Sequence, residues 1–380
     1  MLPRFMIGLI SALFLAGLAQ TTTIPASASP APVAYVYVTL DGSINAYAAA
    51  ADGTLTEIGT QPTAGAVWHL SVTKKFLYGI DGESNIWMFA IWPHGGLTSL
   101  GVMKTSDYDP DNCYAFGDLQ VDQTGSNIYA LVGDCDGHSY LASFKIQSTG
   151  KLLYMGRAYG NSWAQSQIRF TENNLYAFQT GCMAKSGNPQ ISSATAETAQ
   201  YKRESNGFLT YLGTTHEVPE GSGDKSFCPF MMTSHGNQLA FEYFRWEPGE
   251  FYGDGYPLGV YTVAADGKLS TKSNYENMVI TGVYPETMSI SPSGSVLAVG
   301  GDGEFQFFHF DGSSQPVQWG SPIAADNNVT ELGWDKADHF YALTESSLYV
   351  YKVTATSYTQ EAGLPNAFTN AGSVIVLSLD

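Results

Sequence analysis

The sequence predicts an all-β fold: a seven-bladed β-propeller of four-stranded blades, closed by pairing of the N- and C-terminal strands in one blade. Three observations carry this expectation. A strand unit recurs along the chain, no helical period of useful length lies between its copies, and the two ends of the chain are complementary fragments of one unit. The copies begin near His69, Asp118, Gln167, Phe230, Thr287, Glu331 and Ser373 and read HLSVT, DLQVD, QIRFT, FMMTS, TMSIS, ELGWD and SVIVL. Most run through a tight polar turn into an aromatic strand such as FLYGI, IYALV, LYAFQ, LAFEY, LAVGG or FYALT. A spacing of roughly 45 to 60 residues suits one propeller blade per copy.

The elements follow in order. The start, MLPRFMIGLISALFLAGLAQ, places one arginine before a short apolar run and ends in small residues through Ala26, Ser27 and Ala28. This is the anatomy of a secretory signal peptide over residues 1–28, so a secreted or periplasmic protein is expected, with one propeller domain over 29–380. No later stretch reaches the roughly 18 apolar residues of a membrane span. The strand YVYVTL has no inner strand before it, and SVIVLSL at the C-terminus has no strand after it. Together they make the first blade, which removes the open sheet edges that invite aggregation. Blade 2 then reads HLSVT, FLYGI, IWMFAI and LTSLG, and blade 3 reads LQVD, IYALVG, YLASFKI and LLYMG.

In such a ring the turns joining strands one to two and three to four share one face. Here they are short: TKK, TENN, SPSG, AADGK and STGK. The other face receives the insertions, from Met103 to Gly117, Gly181 to Thr198, Thr214 to Pro229, Phe244 to Leu258 and Lys272 to Pro285. Long loops on a rigid scaffold are where binding and catalysis concentrate, so this elaborated face is the expected working side.

Composition narrows the partners. The formal charge is −18 with only five arginines, which disfavours nucleic acid and anionic lipid surfaces. A small molecule, a glycan or a protein at the elaborated face, met by a monomer, is the expectation. Four cysteines in an exported chain favour disulfides, and loop positions suggest Cys113 with Cys135 and Cys182 with Cys228. Asn328, Val329 and Thr330 form a glycosylation sequon.

The first residue of each inner strand should ring the channel mouth on the elaborated face. His69, Asp118 and Glu331 are therefore candidate catalytic residues, with the histidine as general base and Asp118 orienting it. Glu286 adds a further carboxylate, and Trp68, Gln167 and Tyr284 are candidate ligand contacts beside it. The same polar ring also suits a propeller that needs to satisfy its inner backbone ends. The insertion WEPGEFYGDGY contributes Trp246 and Tyr252 as candidate ligand contacts, or as residues that pack the loop on its neighbour. Asp107, Asp109 and Asp111 alternate as in the start of a calcium loop, without the glycine and distant glutamate that complete one. No cofactor is expected beyond a Ca²⁺ ion at these three aspartates, where a solvated acidic turn is the other reading.

The stretches YVTLDGSINAYAAAADGTLTEIG (Tyr37 to Gly59), ISPSGSVLAVGGDGEFQFFHFDG (Ile290 to Gly312) and AADGKL (Ala264 to Leu269) resemble the seven-bladed lactonase-like propellers. That group holds 6-phosphogluconolactonases, muconate-cyclising enzymes and surface proteins with YVTN repeats. The resemblance spans the mature chain as a blade pattern and implies the fold directly. Lactonases of the group carry a Gly-Pro-Arg-His run at an inner-strand start and Asn-Glu one strand later. The matching residues here are Tyr284, Pro285, Glu286 and Thr287, then Gly300 and Gly301, which directs the expectation away from a phosphorylated lactone. Two functions are therefore carried forward: an exported propeller that binds a ligand on its elaborated face, and a lactonase-type hydrolase acting on a sugar-like or other lactone at the channel mouth.

Overall fold

In the computed structural model each copy becomes one antiparallel sheet, and seven such sheets form the ring. The residues described are 31–108, 118–133, 139–160, 167–180, 182–184, 194–196, 198–215, 226–246, 255–274, 276–312, 314–361 and 366–379. Blade 1 joins the two ends of the chain. Its inner strand Ser373–Ser378 lies against Ala34–Leu40, followed outward by Ser43–Ala49 and Leu55–Pro62. The pairing is antiparallel, from Thr39 opposite Ser373 to Ala34 opposite Ser378. The closure expected from the two chain ends is thus present strand for strand.

Near-continuous apolar runs explain why strands such as Ala34–Leu40 and Val296–Gly301 are buried on two faces. Each sheet stands edge-on to the channel, so both of its faces meet a neighbouring blade, and apolar residues occupy both. Seven apolar clusters result, one between every adjacent pair of blades. Blades 6 and 7, for example, meet through Phe305, Phe307 and Phe340, all essentially without solvent exposure. Burying one such phenylalanine stabilises by about 1.5–3 kcal/mol. The core is a set of radial layers, which leaves the axis open.

The recurring tyrosine of the second strand has a structural task on the short-turn face. Tyr37, Tyr78 and Tyr129 are fully buried, and each donates its hydroxyl hydrogen to a glycine carbonyl in the three-to-four turn of the next blade. The acceptors are Gly95 at 3.1 Å, Gly150 at 3.0 Å and Gly207 at 2.6 Å. Gly150 has φ +82 and a Cβ there would lie 2.4 Å from Phe76, so glycine alone suits both the turn and the packing.

Several details differ from the sequence expectation. The inner strands of blades 2, 6 and 7 begin at Val67, Pro285 and Val329, two residues before the expected starts, and the inner strand of blade 5 begins at Ser226. Each of these four carries a register shift near the mouth, between Trp68 and Ser71, Pro229 and Met231, Pro285 and Thr287, and Val329 and Glu331. A bulge places an extra residue on one strand, which alternation alone does not announce. The insertion Gly181 to Thr198 contains a hairpin, Cys182–Ala184 with Ala194–Ala196, and Lys272 to Pro285 contains the strand Val279–Thr281. Among the described residues the one helical turn is the 3₁₀ segment Thr105–Asp107, and no helix is long and apolar enough to cross a membrane.

Candidate functional site

The open axis is a cavity of about 760 Å³ lined by the inner strands. His69, Asp118, Gln167, Glu286, Thr287 and Glu331 all line it, so the ring read from the copies converges on one space. Arg169 joins them. The sequence reading missed this residue, although it stands two positions after Gln167 in QIRFT, on the same face of a period-2 strand.

Much of the ring is a clasp between blades. The Asp118 Oδ2 of blade 3 accepts the Ile168 N–H of blade 4 at 3.0 Å and also the Arg169 guanidinium, with which it forms a salt bridge. Gln167 Oε1 of blade 4 accepts the Met232 N–H of blade 5 at 2.9 Å. Glu286 of blade 6 accepts Asn328 Nδ2 at 3.0 Å, and Glu331 of blade 7 accepts the Ser373 hydroxyl at 3.5 Å. Ser373 in turn receives the Leu70 N–H at 3.4 Å. Asp118, Gln167 and Glu331 therefore each satisfy a group on the next blade at part-buried positions, and Glu286 does so at an exposed one.

His69 stands apart from the clasp. It sits in the bulge with φ 44, a left-handed conformation uncommon for a non-glycine residue. Its imidazole makes no hydrogen bond to another described residue, and the Asp118 carboxylate is engaged by Arg169 and Ile168 instead. His69 is open to channel water on one side and enclosed by protein on the others. That enclosure lowers its pKa from 6.5; the Asp118 charge opposes the shift and Arg169 adds to it. Glu331 is half-buried in the channel wall. Desolvation pushes its carboxyl up to about 8, Asp118 reinforces the shift, and Arg169 and the Ser373 hydroxyl oppose it. At neutral pH the mouth thus holds a neutral imidazole, a protonated carboxyl and a compensated Arg–Asp pair. Desolvation also raises the Glu286 pKa, against the Asn328 hydrogen bond.

The aromatic candidates occupy the rim. Trp68 is 43% exposed and its ring packs over Gly372, where a Cβ would lie 3.1 Å away. Tyr284 is 41% exposed and meets Tyr256 edge to face at 5.2 Å. Tyr256 continues through Phe244 to Phe230, which gives blade 5 an aromatic ladder from the mouth outward. Trp246 ends the second strand of that blade opposite Ser226, with its side chain outside the described residues. Tyr252, Asp109, Asp111, Cys113 and Cys135 lie outside the described residues, and for Cys182 and Cys228 only the strand backbone is described. Asp107 caps its own short turn, with Oδ2 accepting the Lys104 N–H at 3.1 Å. Among the described residues no cluster of three or more histidine, cysteine or acidic side chains could hold a metal ion.

The chain is similar in fold to several solved structures. A candidate 6-phosphogluconolactonase of Bacteroides uniformis superposes with a TM-score of 0.68 at 12% identity, covering 91% of this chain and 100% of that one. A second, from Bacteroides fragilis, gives 0.66 at 13% identity over 93% of this chain and 100% of that one. The periplasmic gluconolactonase of Pseudomonas aeruginosa gives 0.63 at 13% identity over 91% and 100%. No protein-family model and no curated sequence matches the chain. At these identities the likeness is one of architecture, and chemistry has to be argued from the site.

Proposed function

We propose that the protein is an exported hydrolase of a neutral, sugar-like lactone, acting at the channel mouth. The observation that carries this reading is the His69 imidazole: it lines the cavity and lies outside the clasp, and its enclosure by protein favours the neutral form. In this reading His69 takes a proton from a water molecule as the water adds to the lactone carbonyl. The protonated Glu331 donates a hydrogen bond to the carbonyl oxygen as charge builds there. The ring C–O bond then breaks, the imidazolium returns the proton to the leaving oxygen, and a hydroxy acid results. Arg169 is already neutralised by Asp118. Together with the charge of −18, this favours an uncharged substrate over a phosphorylated one. The fold shared with a protein described as a periplasmic gluconolactonase supports both the reaction class and the exported location.

A binding-only role is the second reading, favoured by the clasp itself, because Asp118, Gln167 and Ser373 are accounted for without any reaction. Hydrolysis of glucono-1,5-lactone, followed in a pH-stat above the spontaneous rate, separates the two. Loss of the general base in His69→Ala should lower kcat about 10²- to 10⁴-fold while ligand binding persists. The wild-type rate should rise along an acid limb below 6.5 and fall along a limb near 8. Hydrolysis unchanged in His69→Ala would refute the assignment.

A further inference from the structure

The channel cavity is larger than one sugar ring fills. Its volume of about 760 Å³ lies in the upper part of the roughly 300–1,000 Å³ range of small-molecule sites. A monosaccharide lactone, at ~30 Å³ or less for each of its twelve non-hydrogen atoms, takes up about 360 Å³ at most, under half of that space. A substrate that fills the cavity therefore extends beyond its lactone ring.

The lining indicates what that extension is made of. Gln167 commits only its Oε1, to the Met232 N–H, and Gln120 commits only its Nε2, to the Val121 carbonyl. Arg169 reaches Asp118 and the Ile168 carbonyl through Nη1, and the channel-lining Ser289 makes no side-chain hydrogen bond to another described residue. Amide, guanidinium and hydroxyl groups on the channel wall thus remain for the hydroxyls of a ligand. An alkyl extension would displace their water without replacing its hydrogen bonds.

The rim supplies aromatic surface where the extension would emerge. Trp68 immediately precedes the channel-lining His69, and Tyr284 stands two residues ahead of the channel-lining Glu286. They belong to blades 2 and 6, which lie across the mouth from one another with blades 1 and 7 between them on the shorter path. Each ring is supported by the protein, Trp68 against Gly372 and Tyr284 against Tyr256, yet both keep about two-fifths of their surface in solvent, 43% and 41%. A supported, exposed aromatic ring suits the C–H face of a pyranose, whose hydroxyl edge stays in water. We propose, resting on the hydrolase reading, that the mouth carries a second sugar subsite at Trp68 and Tyr284, so that the substrate is a disaccharide aldonolactone. Its lactone ring lies at His69 and Glu331 and its non-reducing sugar at the rim.

Two measurements separate the subsite from the reaction. In the pH-stat, cellobiono-1,5-lactone should give a kcat/KM about tenfold above that of glucono-1,5-lactone. Trp68→Ala or Tyr284→Ala should bring that ratio to about one, and Trp68→Phe, which keeps a ring, should retain most of it. Calorimetric titration with cellobiose, which has no lactone to hydrolyse, should show saturable one-to-one binding tighter than that of glucose and weakened in both alanine variants. Thermal unfolding midpoints matching wild type establish that the variants are folded. Equal kcat/KM for the two lactones would overturn the second subsite and leave the hydrolase reading standing. Cellobiose binding without hydrolysis of either lactone would refute the reaction and support the subsite. Cellobiose binding no tighter than glucose would overturn the subsite whatever the lactone assay gives.

Discussion

Replacing Glu331 by glutamine isolates the consequence of holding a carboxyl in the channel wall. The folded protein keeps this group protonated up to about 8, whereas an ordinary glutamate releases its proton near 4.5. Below pH 4.5 both states are protonated and the side chain carries no penalty. As pH rises towards 8 the unfolded chain ionises and the folded one does not, so the folded state loses stability across that window and the loss is complete above it. At about 1.36 kcal/mol per pH unit, the gap of 8 − 4.5 = 3.5 sets a ceiling of about 5 kcal/mol. Channel water reaches the half-buried carboxylate and screens it, which brings the expected value to about 2 kcal/mol. Glutamine retains an oxygen to accept the Ser373 hydroxyl and has no proton to lose. Urea unfolding should therefore give Glu331→Gln and wild type equal stability at pH 4, and the variant should be about 2 kcal/mol more stable at pH 9. A stability difference that does not change with pH would refute the burial argument.

Gly301→Ala should destabilise by about 2–4 kcal/mol in urea unfolding, because its Cβ would lie 1.8 Å from the Tyr284 carbonyl oxygen, a backbone atom with little freedom to yield. Ending the chain after Gly372 removes the inner strand of blade 1 and exposes the edge of Ala34–Leu40; soluble aggregates in size-exclusion chromatography are the expected result, and a cooperative, monodisperse product would contradict the closure argument. Asp118→Asn keeps an acceptor for the Ile168 N–H but leaves the Arg169 charge uncompensated, so the limb of the rate profile near 8 should move to lower pH. An unmoved profile would place Asp118 outside the electrostatics of the mouth.

The blades were legible because the information that specifies them is local. IYALV and LYAFQ are short apolar and aromatic runs of strand length, their turns carry glycine, aspartate or asparagine, and the fragments YVYVTL and SVIVLSL are each incomplete alone. The hairpin of Cys182–Ala184 and Ala194–Ala196 was not legible, since three-residue strands of small residues show no period. Nor were the entry bulges, because an extra residue in one strand is defined only by its partner. Asp118 and Ile168 show the same limit more sharply. Both were visible as strand residues, yet their bond spans fifty positions and exists only once the ring has closed. Arg169 had a local signal in its spacing from Gln167, two residues along the same face of the strand, and its pairing with Asp118 of the neighbouring blade had none.

Asp118 shows how closure of the ring and chemistry at its mouth constrain one another. Its Oδ2 holds both the Ile168 N–H and Arg169, so a role in orienting the His69 imidazole would compete with the bonds that join blade 3 to blade 4. The carboxylate still acts on the site at a distance, raising the pKa of His69 and of Glu331 alike. Those two effects have different consequences. Raising His69 works against a neutral base, while raising Glu331 works towards a proton donor at neutral pH. Arg169 tempers both, since it lowers the pKa of each group and neutralises the charge that raises them. Burial is the larger cause of both shifts, lowering His69 and raising Glu331, so desolvation separates the two groups, and an ion pair whose members move both in the same direction and oppose each other leaves that separation in place.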